Sequence, residues 1–454
     1  MKANKKAIDL TQGTPIKQIL LFTLPLFLGE LFQQLYNVVD TLVVGRFVSS
    51  KALGAVGSTF PIIFIAISVS TGLSIGCSVI TSRYVGANQY KKARTSINTA
   101  LMIAFVASII MTVVMELLTL PLLRWVRTPA DTFDMAHSYL VWYFAGTVPT
   151  FMYASIASIF RAIGDSKTPF YYLLLSSVTN IVLDLVFVIY FNMGCAGVAI
   201  ATVIAQTLSM ILSGIHLIKI VRALPKSAGA PLYDAKIAAV IFKSAIPSML
   251  QHTVLAVSFI VFQMLVNGFG SLTVSGYTAA TKIENFAYIP LMNLGNAAAT
   301  YTAQNYGAKK VDRIKKGVSN IFATSLIISL VGGVIIYIFA QPLIGFLIGN
   351  AEKEIFDTGI FQLQKLAILL PLSAIMYSAE GTLRGIDDMN CVFAATTTGM
   401  IIRTIIALWA IPKFGFTAVW VCMGISTFIE GGMDCIRYCF HSKKQLEHLS
   451  EKEI

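Results

Sequence analysis

Charge is what this sequence has least of. Only 12% of its 454 residues are Asp, Glu, Lys or Arg, about half the share of a soluble domain. Most of the chain is therefore solvated by something other than water. Cysteine is sparse too: the six present, Cys77, Cys195, Cys391, Cys422, Cys435 and Cys439, form no CxxC pair and no Cys/His cluster at zinc spacing. They lie mostly in apolar stretches and read as small apolar fillers, so no structural disulfide is expected. There is no glycine-rich phosphate loop, which argues against direct use of ATP. An intramembrane aspartyl protease would need a GxGD-type motif. The nearest string, Ala162-Ile163-Gly164-Asp165, lacks the first glycine and falls in a basic loop. Neither enzyme chemistry nor a cofactor is expected.

What the chain has is apolar length. Hydrophobic residues make up 56% and the mean hydropathy is +0.75. Runs of about 20 apolar residues, enough to cross a bilayer as a helix, fall at 17–44, 52–78, 96–120, 137–160, 169–191, 196–220, 239–266, 273–298, 318–341, 358–382, 392–411 and 416–440. Barrel strands would be about 10 residues long and alternating. The expected fold is all-α and integral to the membrane, with twelve transmembrane helices. The polar, basic start MKANKKAIDLTQGTP is followed by a run too long for a signal-peptide core and without a cleavage site, so it reads as a retained first helix.

The formal net charge is +12. With an even number of spans both termini share one side. Arg46, Lys51, Arg124, Arg127, Lys353, Lys365 and Lys413 fall on the opposite side, and the other Lys and Arg, apart from Lys282 and Arg403, share the side of the termini. Basic loops stay in the cytoplasm, so both termini are expected there. The basic excess is a topology signal and calls for no nucleic-acid partner.

The chain is also written twice, at a spacing of about 222 residues. Arg83-Tyr-Val-Gly-Ala-Asn answers Gln304-Asn-Tyr-Gly-Ala-Lys. Pro25 answers Pro247, Gly54 answers Gly276, Phe160-Arg-Ala-Ile-Gly-Asp answers Leu383-Arg-Gly-Ile-Asp-Asp, and Gly194-Cys-Ala-Gly-Val answers Gly415-Phe-Thr-Ala-Val. The expected division is an N-lobe at 1–225, a polar linker at 226–236, a C-lobe at 237–440 and a tail at 441–454. Two six-helix lobes entering in the same orientation are related by a pseudo-two-fold along the membrane normal, the plan of alternating-access transporters. A channel has less need of duplicated lobes with a single ion site.

The repeat fails at one polar set. Asp40 maps onto Phe262, Asn37 onto Phe259, Asn180 onto Arg403, Asp184 onto Ala407 and Thr202 onto Met423. Tyr36, Asn37 and Asp40 share one side of the first span; Ser177, Asn180 and Asp184 form a stripe on the fifth, and Thr202, Gln206 and Ser209 one on the sixth. An ionised carboxylate in mid-membrane costs roughly 2.5 kcal/mol or more, so it faces a cavity or a partner. Two acids together can retain a proton. With Asn and Thr oxygens they are also hard ligands that suit Na⁺. Asp40, Asp184, Asn180, Thr202 and Asn37 are therefore the expected ion-coupling set, and Asp40, Asn180, Asp184 and Thr202 would hold Na⁺. The simpler reading of either Asp is an acid bonded to a neighbouring helix. Glu30 and Glu116 read as structural or interfacial, His252 as packed, and Glu380 has ion-pair spacing to Arg384.

NVVDTLVVGR in the first span, SRYVGANQ ending the second, RAIGDSKTP after the fourth, NIVLD in the fifth and KIENFAYIPLMNLGNA in the eighth together resemble the MATE (multidrug and toxic compound extrusion) transporters. The resemblance covers nearly the whole chain. It implies two lobes of six helices and export of cationic or amphipathic compounds in exchange for inward H⁺ or Na⁺, from a monomer in the bacterial cytoplasmic membrane. One prokaryotic branch, typified by the DNA-damage-inducible exporters, keeps its acids on the first and fifth helices, where Asp40 and Asp184 match. Another branch places acids on the seventh and tenth; here the seventh reads QHTVLAVSF with none. Aromatic, Met and amide groups suit a broad drug site, so Gln34, Tyr36, Tyr139, Met152, Tyr153 and Met264 are expected to wall the cavity, with Pro25 as the hinge of the first helix. The alternative is a lipid-linked precursor flippase of related fold. It would want several intramembrane arginines, and only Arg403 lies in mid-helix.

Overall fold

A computed structural model describes residues 7–126, 128–225, 227–348 and 353–442. The basic residues Lys2, Lys5, Lys6, Arg127, Lys226, Lys443, Lys444 and Lys452, and most of the expected tail, lie outside the described residues. Within them the chain is helical, with no strand. The helices are α1 (Pro15–Val43), α2 (Ser50–Gly86), α3 (Tyr90–Trp125), α4 (Phe133–Ala145), α5 (Thr147–Ala162), α6 (Lys167–Leu185) and α7 (Gly194–Arg222) in the first half. The second half holds α8 (Ala235–Asn267), α9 (Ser271–Gly307), α10 (Val311–Ile348), α11 (Lys353–Gly385), α12 (Met389–Phe414) and α13 (Thr417–Arg437).

In a membrane every backbone polar group must be satisfied within the chain, and the helix does this locally. Ten of these helices are long and apolar enough to cross a bilayer, or eleven if α4 and α5 count as one span. That pair was expected as a continuous run; it bends by 50° between Ala145 and Thr147. Pro149, in the first turn of α5, cannot donate to the turn before it. The run expected at 273–298 lies within α9, which has 37 residues. Lys282, Glu284, Asn285 and Asn293 make α9 more polar than the others, and it is not among the ten.

The exposed faces carry large apolar side chains. Phe105, Val106, Ile110, Val113 and Leu117 on α3, and Ile327, Leu330, Val331, Val334 and Ile338 on α10, are exposed bands suited to lipid.

The described chain forms two compact units. One comprises the residues up to Asp9 and Leu24–His252; the other comprises Leu10–Thr23 and the residues from Thr253 onward. In the first unit α2, α3, α5 and the start of α8 share a core that includes Leu73, Ile97, Ile159 and Ile241. A second cluster, with Ile63, Leu140, Phe144 and Val198, joins α2, α4 and α7. The segment before α8 lies along α3: Asn98 Nδ2 donates to the Pro231 carbonyl (3.1 Å), and the Asp234 amide donates to Thr99 Oγ1 (3.2 Å). In the second unit α9, α10, α11, α12 and α13 close over Leu291, Ile344, Leu366, Ala407 and Trp420. The N-terminal segment here is pinned through its carbonyls: Arg313 donates to those of Leu10, Gln12 and Gly13, and Lys310 Nζ to that of Thr11 (2.8 Å).

The repeat is visible in the backbone. Asn88 and Lys309 turn with φ of 55° and 56°, Gly164 and Asp387 with 88° and 66°, and Gly194 and Gly415 with 56° and 67°. Each pair falls at the repeat spacing, so the left-handed corners are copied even where the residue is not.

Candidate functional site

α1, α6 and α7 bring the three polar stripes together in the first unit. The Asp40 carboxyl meets the Tyr36 hydroxyl and the carboxyl of Asp184. Asp184 is fully buried, and neither of its oxygens has a hydrogen-bond donor; the same holds for Oδ1 of Asp40. Two carboxylates cannot donate to one another. A proton shared between them, or a cation beside them, would satisfy these oxygens.

Thr202 ties the cluster. Its Oγ1 accepts from Asn180 Nδ2 (3.1 Å), lies 3.4 Å from the Tyr36 hydroxyl and donates to the Val198 carbonyl one turn earlier (3.1 Å). With Nδ2 engaged, Asn180 leaves its buried Oδ1 without a partner, as does Gln206 with Oε1. Gln33, Tyr36, Ser177, Asn180, Thr202 and Gln206 line a small pocket, about 260 Å³ when the space open to its surroundings is counted. The set of unpartnered oxygens is a hard-ligand set, which fits H⁺ or Na⁺ and offers nothing to a soft metal.

The backbone at both acids is unusual. α1 gives way to a π-helical turn at Val44–Val48, one turn after Asp40, and α6 to another at Val186–Tyr190, just after Asp184. π turns are rare and gather at functional sites.

The other expected residues fall in several places. Tyr139 is buried beside Asp40 and Asp184 and stacks on Tyr143 at 6.1 Å, so it packs behind the acids. Tyr153 is buried and donates to the Pro169 carbonyl (3.1 Å), and Met152 packs against the core around Ile156. Gln34 is half-buried, and Asn37 is exposed on α1, where its carbonyl accepts from Thr41 Oγ1 (2.8 Å). Met264, in the second unit, is 67% exposed. Pro25 is buried within an unbroken α1, two residues after the chain passes from one unit to the other.

The second unit has no acid at the corresponding place. Arg403 of α12 stands where Asn180 would be. It donates to Ser258 Oγ (2.6 Å) and lies over the rings of Phe262 and Phe259 at 5.0 and 5.5 Å. Elsewhere in that unit Glu380 pairs with Arg384 on α11, as their spacing suggested. Glu284 accepts from Gln362 Nε2 (3.2 Å). Two buried acids of α13, Glu430 and Asp434, were not singled out from the sequence. The signal was there: the repeat pairs them with Ser209 and Ser213.

These features define a polytopic helical membrane protein with a buried acid pair in one of two copied halves. The chain belongs to the MatE family, whose members are transporters. The sequence model of that family matches twice, at 25–186 and at 247–409, starting at the two prolines the repeat pairs. The chain is 29% identical to the probable multidrug resistance protein YpnP of Bacillus subtilis over 91% of its own length and 90% of that protein. It is 25% identical to an FAD transporter of Shewanella oneidensis over 73% of this chain and 74% of that one. Among solved structures it shares the fold of a MOP superfamily transporter from Pyrococcus furiosus, with a TM-score of 0.88 and 21% identity over 98% of this chain and 99% of that one.

Proposed function

We propose that the protein is a secondary multidrug exporter, driven by H⁺ or Na⁺ bound at Asp40 and Asp184. The observation that carries this reading is the meeting of the two acids, with buried oxygens that no donor satisfies. The names of the relatives, multidrug resistance and multidrug export proteins of bacteria, support the substrate class and a bacterial cytoplasmic membrane. In this reading α4 with α5 forms one span and α9 another, for twelve spans in two six-helix lobes; both termini lie in the cytoplasm, and the monomer is the working unit. Placement of the acids on α1 and α6 supports the branch typified by the DNA-damage-inducible exporters.

In this mechanism an ion from outside binds the pair and neutralises or pairs its charge. The strain of two adjacent acids is released, α1 adjusts near Pro25, and the drug-released state is favoured. Exchange needs only that ion and drug prefer different conformations. The flippase alternative is not favoured, because the lone mid-helix arginine is packed on phenylalanine rings.

The test is ethidium efflux from pump-deficient cells expressing the wild type or Asp40→Asn at matched membrane levels. Efflux by the wild type and none by the variant supports the reading. Equal efflux moves the coupling site elsewhere, and no efflux by either removes the drug-export reading. Repeating the assay with and without Na⁺, at fixed pH, separates the two ions.

A further inference from the structure

A second titratable cluster lies in the second unit and is not used by the mechanism above. It joins α11, the start of α12 and α13. Four acids, Glu380, Asp388, Glu430 and Asp434, stand among three arginines, Arg384, Arg403 and Arg437. The partners can be traced one by one. Glu380 is paired with Arg384, and Asp388 with Arg437 at 2.6 Å. Glu430 accepts from Ser426 Oγ (2.9 Å) and feels the charge of Arg403. Its side chain is seated against Gly399, where a Cβ would lie 2.5 Å from Glu430 Cγ.

Asp434 is left over. It is 2% exposed, its Oδ1 has no hydrogen-bond partner, and among the described residues it is in no salt bridge. The groups that face it are Glu380 and Arg384 from α11, Asp388 and Cys391 from the start of α12, and Glu430 and Cys435 on its own helix. Three of these are acids against one arginine. A carboxylate buried in such company has little solvent, and the one arginine facing it is already paired with Glu380. Among the described residues no three acid, His or Cys groups are placed to hold a metal ion.

We propose that Asp434, with Glu430 one turn before it, is a proton-binding site of the second unit, independent of the Asp40–Asp184 pair. The proton adds to a carboxylate oxygen and gives Asp434 a donor that its acid neighbours can accept. The first unit carries no acid at the repeat positions: Ser209 and Ser213 stand there, and their hydroxyls donate to the carbonyls of Tyr172 (3.0 Å) and Met210 (3.2 Å). The proposal does not rest on drug export, since a proton can be bound whether or not a substrate moves.

Difference infrared spectroscopy on the purified full-length protein, taken across a pH series, reads protonated carboxyl groups directly. A protonated-carboxyl component should survive in the Asp40→Asn, Asp184→Asn double variant and be lost on adding Asp434→Asn. Asparagine matches aspartate in shape, which favours retention of the fold. Should that variant not fold, Asp434→Glu in the double-variant background is the second reading, and the component should persist there at a shifted frequency. A component unchanged by Asp434→Asn, or unshifted by Asp434→Glu, overturns the proposal. So does its absence from the double variant.

Discussion

The two units share one scaffold and place their charge in opposite ways. In the first, acids stand at Asp40 and Asp184, and the positions matching Glu380, Glu430 and Asp434 are Ala157, Ser209 and Ser213. In the second, the positions matching Asp40 and Asp184 are Phe262 and Ala407, and an arginine replaces Asn180. Arg403 is a cation tethered to the chain, set on aromatic rings at the place where the first unit leaves oxygens without donors. Backbone corners and apolar faces survived the duplication, and ionisable groups were reassigned. In this family architecture the site is best found where the copies disagree.

The largest test of that contrast is Asp184→Asn. It removes a fully buried acid whose oxygens have no donor, and ion-driven efflux should fall at least about tenfold, equivalent to about 1.4 kcal/mol. Efflux assays at matched expression measure it; transport that persists would shift the site to the second unit. Next is the close packing of the copied scaffold. A Cβ at Gly381 would lie 2.1 Å from the Gly295 carbonyl oxygen, whereas one at Gly54 meets nothing within 4 Å. Gly381→Ala should lower stability by roughly 1–3 kcal/mol, and Gly54→Ala should raise it by up to about 1 kcal/mol. Thermal unfolding of the purified variants decides both signs. Third, Arg403→Ala loses two ring contacts and a hydrogen bond, about 2 kcal/mol or more, whereas Asn180→Ala should cost about 1 kcal/mol. Equal losses in the same unfolding assay would mean that the arginine packs as an ordinary polar group. Smallest is Thr202→Val, which removes the acceptor for Asn180. The coupling-ion concentration for half-maximal efflux should rise about fivefold, matching about 1 kcal/mol.

Much of this was legible in the sequence. Helical spacing puts Asp40 with Tyr36, and Asp184 with Asn180, on shared faces, and the failed repeat marks them. The contacts of Asp40 with Asp184, and of Thr202 with Asn180 and Tyr36, are compatible with that pattern, but the meeting of α1, α6 and α7 that makes them is a tertiary fact. The bend at Gly146 was not legible, because the apolar run is continuous and only Pro149 hints at a break. Tyr139 and Tyr153 look the same as cavity walls or as packed rings; which neighbour covers them is a tertiary fact. Asn37 shares a helix face with Asp40 by spacing, yet it is exposed. Glu430 and Asp434 lie near the end of the last helix, where acids usually reach the interface. Their burial depends on α11 and α12, which no local pattern reports.

The left-handed corners have a consequence for anyone who must purify this protein. At Lys309 a side-chain-bearing residue holds φ of 56°, a conformation that costs a non-glycine residue roughly 1–2 kcal/mol. The corner lies between α9 and α10, far along the chain from Asp40, Asp184 and Asp434. Lys309→Gly would relieve that backbone cost, so behaviour in detergent can be adjusted at a residue that belongs to neither charge cluster.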